Sequence, residues 1–316
     1  MIGSMVLVTG ANGFLGRNLI HRLAGMDDVS VYAVSRRVPH VAAKLPHVRW
    51  RQLDIRDLES LRLLMLEVRP EIIYHLAGDC RGGQEIDLVL PSFQNDVQTT
   101  INVLLAACEL GSPRLVIPAS LEEPVDGQNG IPNSPYATAK VTCRLYAEMF
   151  HSVYGLPVVL LRTFMTYGPW QKPYKLIPYV IQSLLKGQSP TVGSGTRLVD
   201  WIYVDDVITA FVNAARSETA VGETIDVGSG TLVSIQELVD RLHGLIPGSP
   251  CPNYSPKSAR AREVVRRADI QMAEQLLSWR PNTSLAEGLS RTVDWYRFHT
   301  SAGEELMGTT QRASYT

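Results

Sequence analysis

The chain has 316 residues and a mass of 34.9 kDa; with 45% hydrophobic and 19% charged residues it can bury a sizeable core, as one large or two intimate domains. A formal net charge of -1 gives no footing for a nucleic-acid or acidic-membrane partner. Cys80, Cys108, Cys143 and Cys251 contain no CxxC pair and the seven histidines show no metal-ligand spacing, so the expectation is a cytoplasmic protein with reduced thiols and no metal.

Residues 5–9 form an apolar, β-branched run that predicts a buried strand and is too short for a leader or a membrane span. The turn after it, Gly10-Ala-Asn-Gly-Phe-Leu-Gly16, opens a helical pattern over 14–24. Glycines in such a turn let the backbone approach a pyrophosphate, and the helix N-terminus supplies free N–H groups and a positive dipole end. Gly10, Asn12, Gly13, Phe14, Leu15 and Gly16 are therefore candidates for holding a dinucleotide. A second strand, 29–34, ends in Ser35-Arg36-Arg37. An acidic residue there selects NAD by bonding the ribose 2′-hydroxyl, whereas Ser35 followed by the guanidinium groups of Arg36 and Arg37 suits a 2′-phosphate. NADP(H) is the expected cofactor.

A strand over 48–53 runs into Asp54, placed to accept from an adenine amino group, and Asp57 caps a helix over 58–69. Strand 71–76 leads through His75, read as a packed strand residue, to Leu76, Ala77 and Gly78, a small-residue turn beside the cofactor. An amphipathic pattern over about 93–110 carries Asn95 near its start. Strand 115–119 delivers Ser120, and a loop over 124–135, rich in Gly, Pro and Asn, leads to the next helix. Tyr136 and Lys140 lie four apart on that helix and so share one face. An ammonium beside a phenol stabilises the phenolate and draws its pKa down from about 10 towards neutrality, which suits proton exchange with a substrate oxygen. Ser120 is placed to hydrogen-bond the same oxygen. A strand over 157–162 closes this part. The repeated strand–helix alternation implies an α/β fold, a Rossmann-type doubly wound parallel sheet, with ligands at the carboxyl ends of its strands.

Beyond 163 the pattern loosens. Tyr167-Gly-Pro169 is a turn, 176–186 a helix, and 198–204 a strand ending in Asp205-Asp206, with Asp205 read as the N-cap of a helix to about 215. A short strand over 223–227 and a helix over 234–245 follow. Arg260 and Arg262 precede a strand-like 264–267, helices are expected over 269–277 and 284–298, and the polar tail from 301 is expected to be disordered.

Taken together, the glycine turn, Asp54-Ile-Arg-Asp57, His75-Leu-Ala-Gly78, Ser120, Tyr136xxxLys140, Arg162, Tyr167-Gly-Pro169, Asp200-Trp-Ile-Tyr-Val-Asp-Asp206 and Trp279-Arg-Pro281 resemble the extended short-chain dehydrogenases/reductases of the nucleotide-sugar epimerase/dehydratase type, over about residues 5–298. The resemblance implies that Tyr136 is the general acid/base, that Lys140 also holds the nicotinamide ribose, that Ser120 contacts the substrate oxygen, and that Ile55 joins the cofactor contacts. It implies a dinucleotide domain over 1–165 with about 205–230, a smaller substrate domain over 166–204 and 231–300, and a homodimer formed through helices at about 93–110 and 136–154. Three departures bear on substrate. Met165 replaces the family's usual Asn, Val199 replaces an Arg with Arg197 nearby, and Arg260 sits where a second phosphate-binding arginine is usual. At the catalytic strand end Ser120-Leu121-Glu122 lacks the acid of the 4,6-dehydratases but keeps Glu122 as a candidate second base. Within the family the chain is similar to NADPH-dependent 4-ketoreductases of the CDP-abequose synthase type, so reduction of a nucleotide-linked 4-keto-6-deoxyhexose is expected. A 4-epimerase with retained NAD(P) is the alternative, and a non-catalytic dinucleotide-binding regulator is a third.

Overall fold

The computed structural model describes residues 4–39, 45, 47–124, 130–255 and 265–301, with 300 and 301 described by their backbone alone. They fall into two compact units, one of 1–163, 208–227 and 270–280, the other of 164–207, 228–269 and 281–316.

The first unit is built on a parallel sheet of seven strands: β1 (Ser4–Thr9), β2 (Val29–Ser35), β3 (Val48–Gln52), β4 (Ile72–His75), β5 (Arg114–Ser120), β6 (Val158–Thr163) and β10 (Thr224–Val227). Their spatial order is β10-β6-β5-β4-β1-β2-β3. The central strands are continuous apolar runs because a parallel sheet is covered on both faces. Val6, Leu7 and Val8 of β1 are almost fully buried, as are Val31 and Val34 of β2. Strand order reverses between β1 and β4, the place where doubly wound sheets open a crevice for ligands.

This unit holds the helices α1 (Phe14–Ala24), α2 (Leu58–Val68), α4 (Thr99–Leu110), α5 (Pro135–Tyr154) and the short α9 (Gln271–Leu277). Asp57 caps α2 as its sequence indicates, accepting from the N–H groups of Glu59 and Ser60. Ser134 caps α5 through the Ala137 N–H at 3.1 Å, with Pro135 at the first helical position where its missing N–H costs nothing. Leu61 and Met65 of α2 and Val103 and Leu104 of α4 pack with Leu7, Ile73 and Leu115 in one core.

The expected helix over 93–110 is longer and less regular. It begins with α3 (Val89–Ser92), passes through a π-helical stretch at Phe93–Gln98, and becomes α4 at Thr99. Pro91 is accommodated because it falls in the first turn. Asp96, Thr99 and Thr100 are all buried on this irregular segment.

The second unit holds a three-stranded sheet, β7 (Met165–Tyr167), β9 (Leu198–Tyr203) and β11 (Leu232–Ser234), in the order β11-β9-β7. A two-stranded pair, β8 (Thr191–Val192) with β12 (Asn253–Tyr254), accompanies helices α6 (Leu176–Leu185), α8 (Ile235–Gly244) and α10 (Leu285–Ser301). Buried Asp200 ties the turn after residue 227: it accepts from the Ser229 N–H and hydroxyl at 2.7 Å, and from the N–H groups of Gly230 and Ala268 at 3.0 Å.

Two details of the second half differ from expectation. Helix α7 (Val204–Arg216) starts before Asp205, so Asp205 lies inside the first turn, exposed and 3.7 Å from Arg291, and is not the cap. Its neighbour Asp206 is buried instead and accepts the Thr283 N–H at 2.9 Å. Residues 265–267 form no strand, while 264 and the tail from 302 lie outside the described residues.

Candidate active site

The glycine turn leaves β1 at its carboxyl end. Gly10 has φ +64, and a Cβ there would lie 2.5 Å from backbone atoms of Leu76 and Ala77, so the turns after β1 and β4 touch backbone to backbone. Only glycine meets both demands. Thr9 secures the same junction, with its hydroxyl 2.8 Å from His75 Nδ1 and accepting the Ala77 N–H at 3.4 Å. Gly13 is the N-cap of α1 and carries no side-chain acceptor, so the first-turn N–H groups stay open to an anion. This cradle fits a dinucleotide pyrophosphate.

The β2 end closes onto the turn. Asn12 donates to the Arg37 carbonyl at 3.1 Å and accepts from Arg17 at 2.7 Å. Ser35 donates its hydroxyl to the Arg37 carbonyl at 2.5 Å, while exposed Arg36 reaches Asn95 Oδ1 at 3.4 Å. Arg37 is exposed, and Phe14 and Leu15 are half-buried at the start of α1. Asp54 is already gripped by Arg56, at 2.5 and 3.0 Å, which holds its carboxyl below the usual carboxylate range. The Ile55 side chain joins the core, leaving its backbone as the group available to a ligand. Buried Asn102 fixes that loop by donating to the carbonyls of Ile55 and Arg56 at 2.9 Å.

The chemistry gathers at the end of β5. Ser120 is buried; its hydroxyl accepts the Glu122 N–H at 3.1 Å and hydrogen-bonds the Tyr136 phenol. Glu123, fully buried, accepts the Ser120 N–H at 2.8 Å with one oxygen and holds Arg144 of α5 at 2.8 Å with the other. Strand end and helix are thereby locked in register, and Tyr136 meets Ser120. Lys140 is buried one turn further along α5, and its charge acts on His75, Asp96 and Cys143.

Electrostatics correct one expectation. Tyr136 has its phenol pushed well above 10 rather than drawn towards neutrality, because removal from water disfavours the phenolate. The Ser120 bond opposes that push, while Glu122, Asp96 and Cys80 add to it. His75 is the packed strand residue its pattern indicates: it bridges Thr9 and Thr100, and burial followed by the Lys140 charge holds its pKa down to about 3.

Glu122 is half-buried on the loop after β5, near Gly82, where a Cβ would lie 3.1 Å from its carboxylate. Met165 opens β7 and Arg197 precedes β9, both half-buried in the second unit. Arg260 lies outside the described residues. Asp96, Asn102, Glu123 and Cys80 are the site residues that sequence reasoning missed. The paired Glu122-Glu123, separated from Ser120 at the β5 end by Leu121, is the one local signal that pointed towards them.

Comparison with known proteins agrees with this geometry. Residues 6–228 match the family model described as the NAD dependent epimerase/dehydratase family. The chain belongs to that family. It is an enzyme of the extended short-chain dehydrogenase/reductase type. It is 31% identical to a UDP-glucose 4-epimerase of Mycolicibacterium smegmatis, over 92% of this chain and 98% of that one. It is likewise 31% identical to a dTDP-glucose 4,6-dehydratase of Streptomyces griseus, over 96% and 97%. The crystal structure of the UDP-glucuronic acid 4-epimerase of Bacillus cereus with UDP-glucuronic acid and NAD superposes with a TM-score of 0.82 at 26% identity, covering 93% of this chain and 99% of that one.

Proposed function

We propose that this chain catalyses 4-epimerisation of a nucleotide-activated hexose, with Tyr136 moving the proton on the C4 oxygen. The observation that carries the reading is the Ser120–Tyr136 hydrogen bond at the carboxyl end of β5, with Lys140 one helical turn away. A bound pyridine nucleotide supplies the hydride acceptor and donor. The remaining work falls to side chains. The Gly10–Gly16 turn and the α1 N-terminus hold the pyrophosphate, and Ser35, Arg36 and Asp54 address the adenosine end. Tyr136 takes the C4 hydroxyl proton as hydride leaves C4, while Ser120 donates to that oxygen. After the keto sugar turns over, hydride returns to the opposite face of C4 and Tyr136 returns the proton, so nothing is consumed. Lys140 orients the ribose and brings the positive charge that offsets burial of the phenolate. Met165, Arg197 and Arg260 are proposed substrate contacts. Leu121, where the resembling 4,6-dehydratases carry an acid, argues against elimination of water. The M. smegmatis and B. cereus epimerases support the choice of reaction.

A second reading rests on Ser35-Arg36-Arg37: an NADPH-dependent 4-ketoreductase. The exposed guanidinium of Arg36 beside the Ser35 hydroxyl supports a 2′-phosphate and hence NADP(H). One experiment separates the two readings. Dinucleotide released from purified protein is identified, and UDP-glucose is then supplied. Retained dinucleotide with formation of UDP-galactose supports epimerisation. An empty protein that oxidises NADPH stoichiometrically on a 4-keto sugar supports reduction.

We further propose a cytoplasmic homodimer. The four cysteines, thiols rather than disulfides, fit a reducing compartment, and α3 with its π-helical continuation and α5 expose Val89, Leu90, Phe93, Leu145 and Val153 for a second copy to cover.

A further inference from the structure

The Arg37 carbonyl gathers two side chains at the end of β2, accepting the Asn12 amide at 3.1 Å and the Ser35 hydroxyl at 2.5 Å. The oxygen of that Asn12 amide accepts twice from Arg17, from Nε at 3.0 Å and from Nη2 at 2.7 Å. Arg17 of α1 is thereby tied, through Asn12, to the same carbonyl that holds Ser35. Only part of its donor fork is engaged this way, and its acceptor is neutral. Among the described residues Arg17 makes no ion pair, although it is half-buried. A cation desolvated without a counter-charge is costly, and burial draws the Arg17 pKa down. Arg36 in the adjoining turn also reaches a neutral partner, Asn95 at 3.4 Å, while the Asp54 carboxylate near it is gripped by Arg56.

We propose that Arg17 is a specificity-determining residue for the cofactor: together with Arg36 and the Ser35 hydroxyl, it holds the 2′-phosphate of NADP(H). The inference rests on the NADP(H) preference proposed above and adds a contact that the β2 end alone does not supply. A phosphate monoester carries close to two negative charges and three acceptor oxygens. Set between Arg17 and Arg36, it provides the counter-charge that both guanidinium groups lack, and it accepts from Ser35 as well. NAD presents only a hydroxyl at that position and leaves the half-buried charge of Arg17 unmatched. Asn12 is what makes the contact specific. Both ends of its amide are engaged, one on Arg17 and the other on the Arg37 carbonyl, so the cation is fixed beside the β2 end before a ligand arrives. The pyrophosphate has its own donors in the open N–H groups at the start of α1.

The test reads binding rather than turnover. Protein from which any dinucleotide has been removed is titrated by calorimetry with 2′,5′-ADP and with 5′-AMP, as wild type, Arg17→Gln and Arg17→Lys. Gln keeps a donor for the Asn12 oxygen but removes the charge, whereas Lys keeps the charge without the planar fork. Wild type should prefer 2′,5′-ADP. Arg17→Gln should weaken 2′,5′-ADP by about tenfold with 5′-AMP nearly unchanged, and Arg17→Lys should fall between. Equal losses for both ligands in Arg17→Gln, or a wild-type preference that survives in it, overturns the Arg17 contact alone. Wild-type protein that binds 5′-AMP as tightly as 2′,5′-ADP overturns the NADP(H) preference and the contact with it. A crystal structure of wild-type protein with 2′,5′-ADP needs no variant to fold: the 2′-phosphate should lie within hydrogen-bond distance of both Arg17 and Arg36. A 2′-phosphate held by Arg36 without Arg17 overturns the proposal equally.

Discussion

Glu123 accepts the backbone N–H of Ser120 at 2.8 Å while being 1% exposed, and the same carboxylate holds Arg144 at 2.8 Å. A charge so deeply buried is tolerated only because both oxygens are occupied. Arg144 also keeps Glu148 at 2.9 Å, so it is not stranded when Glu123 is removed. Glu123→Ala should cost about 3 kcal/mol of stability, near the lower end for breaking a buried pair, and should slow turnover because Ser120 loses its fixed position against Tyr136. Urea unfolding and kcat measured together check this. Unchanged stability would show that the pair is not what fixes the strand end.

Gly10→Ala should remove dinucleotide binding. The new Cβ meets Leu76 and Ala77 backbone at 2.5 Å, and a positive φ adds strain of about 1–3 kcal/mol. Backbone cannot move aside as a flexible side chain can, so the turns after β1 and β4 must part. Fluorescence titration with NADH and NADPH is the measurement, and wild-type affinity in the variant would refute the cradle described here.

Arg36→Ala should erase a preference for NADPH over NADH while leaving NADH binding nearly intact. Its guanidinium is exposed and makes one long bond, to Asn95 at 3.4 Å, so little structure depends on it. The size expected is on the order of tenfold or more, as for a charge-assisted contact worth about 1.5–3 kcal/mol. Equal losses for both nucleotides would show that Arg36 does not read the 2′-position.

The buried pair His75 and Asp96 makes stability depend on pH in opposite senses. His75 has a folded pKa of about 3 against 6.5 unfolded. Its contribution is complete above 6.5 and is lost as pH falls, because the unfolded chain binds a proton that the folded chain refuses. Asp96 has a folded pKa of about 7 against 3.8 unfolded, so its contribution is present below 3.8 and is lost as pH rises through about 7. Each amounts to about 1.4 kcal/mol per pH unit, and the two oppose one another where the windows overlap. Asp96→Asn should therefore gain stability relative to wild type by about that amount per unit as pH rises from about 4 to 7. Denaturant midpoints across that range test it, and parallel curves would contradict it.

The parts of the site legible in the sequence are those that depend on local spacing. The glycine turn, the Tyr136–Lys140 pair and the Asp57 cap each need only a known strand or helix to place them. Asp96 and Glu123 were not legible because their roles depend on partners reached through the fold, Asp79 for one, Ser120 and Arg144 for the other. The π-helical stretch hid Asp96 further, since a regular helical period does not describe the residues around it. The Tyr136 phenol illustrates the same limit. Spacing placed a cation one turn away, yet burial pushes the phenol up in the folded chain. Short strands such as β8 and β12, each of two residues, carry too little pattern to be read at all.

The most direct measurement is of C4 inversion by Tyr136→Phe against wild type, with UDP-glucose as substrate and the nicotinamide absorbance followed at the same time. The expected result is UDP-galactose from the wild type with no net change in nicotinamide, and a loss on the order of 10²–10⁴-fold in kcat for the variant at unchanged dinucleotide affinity. Inversion by the variant at a rate near wild type would contradict the central role assigned to Tyr136.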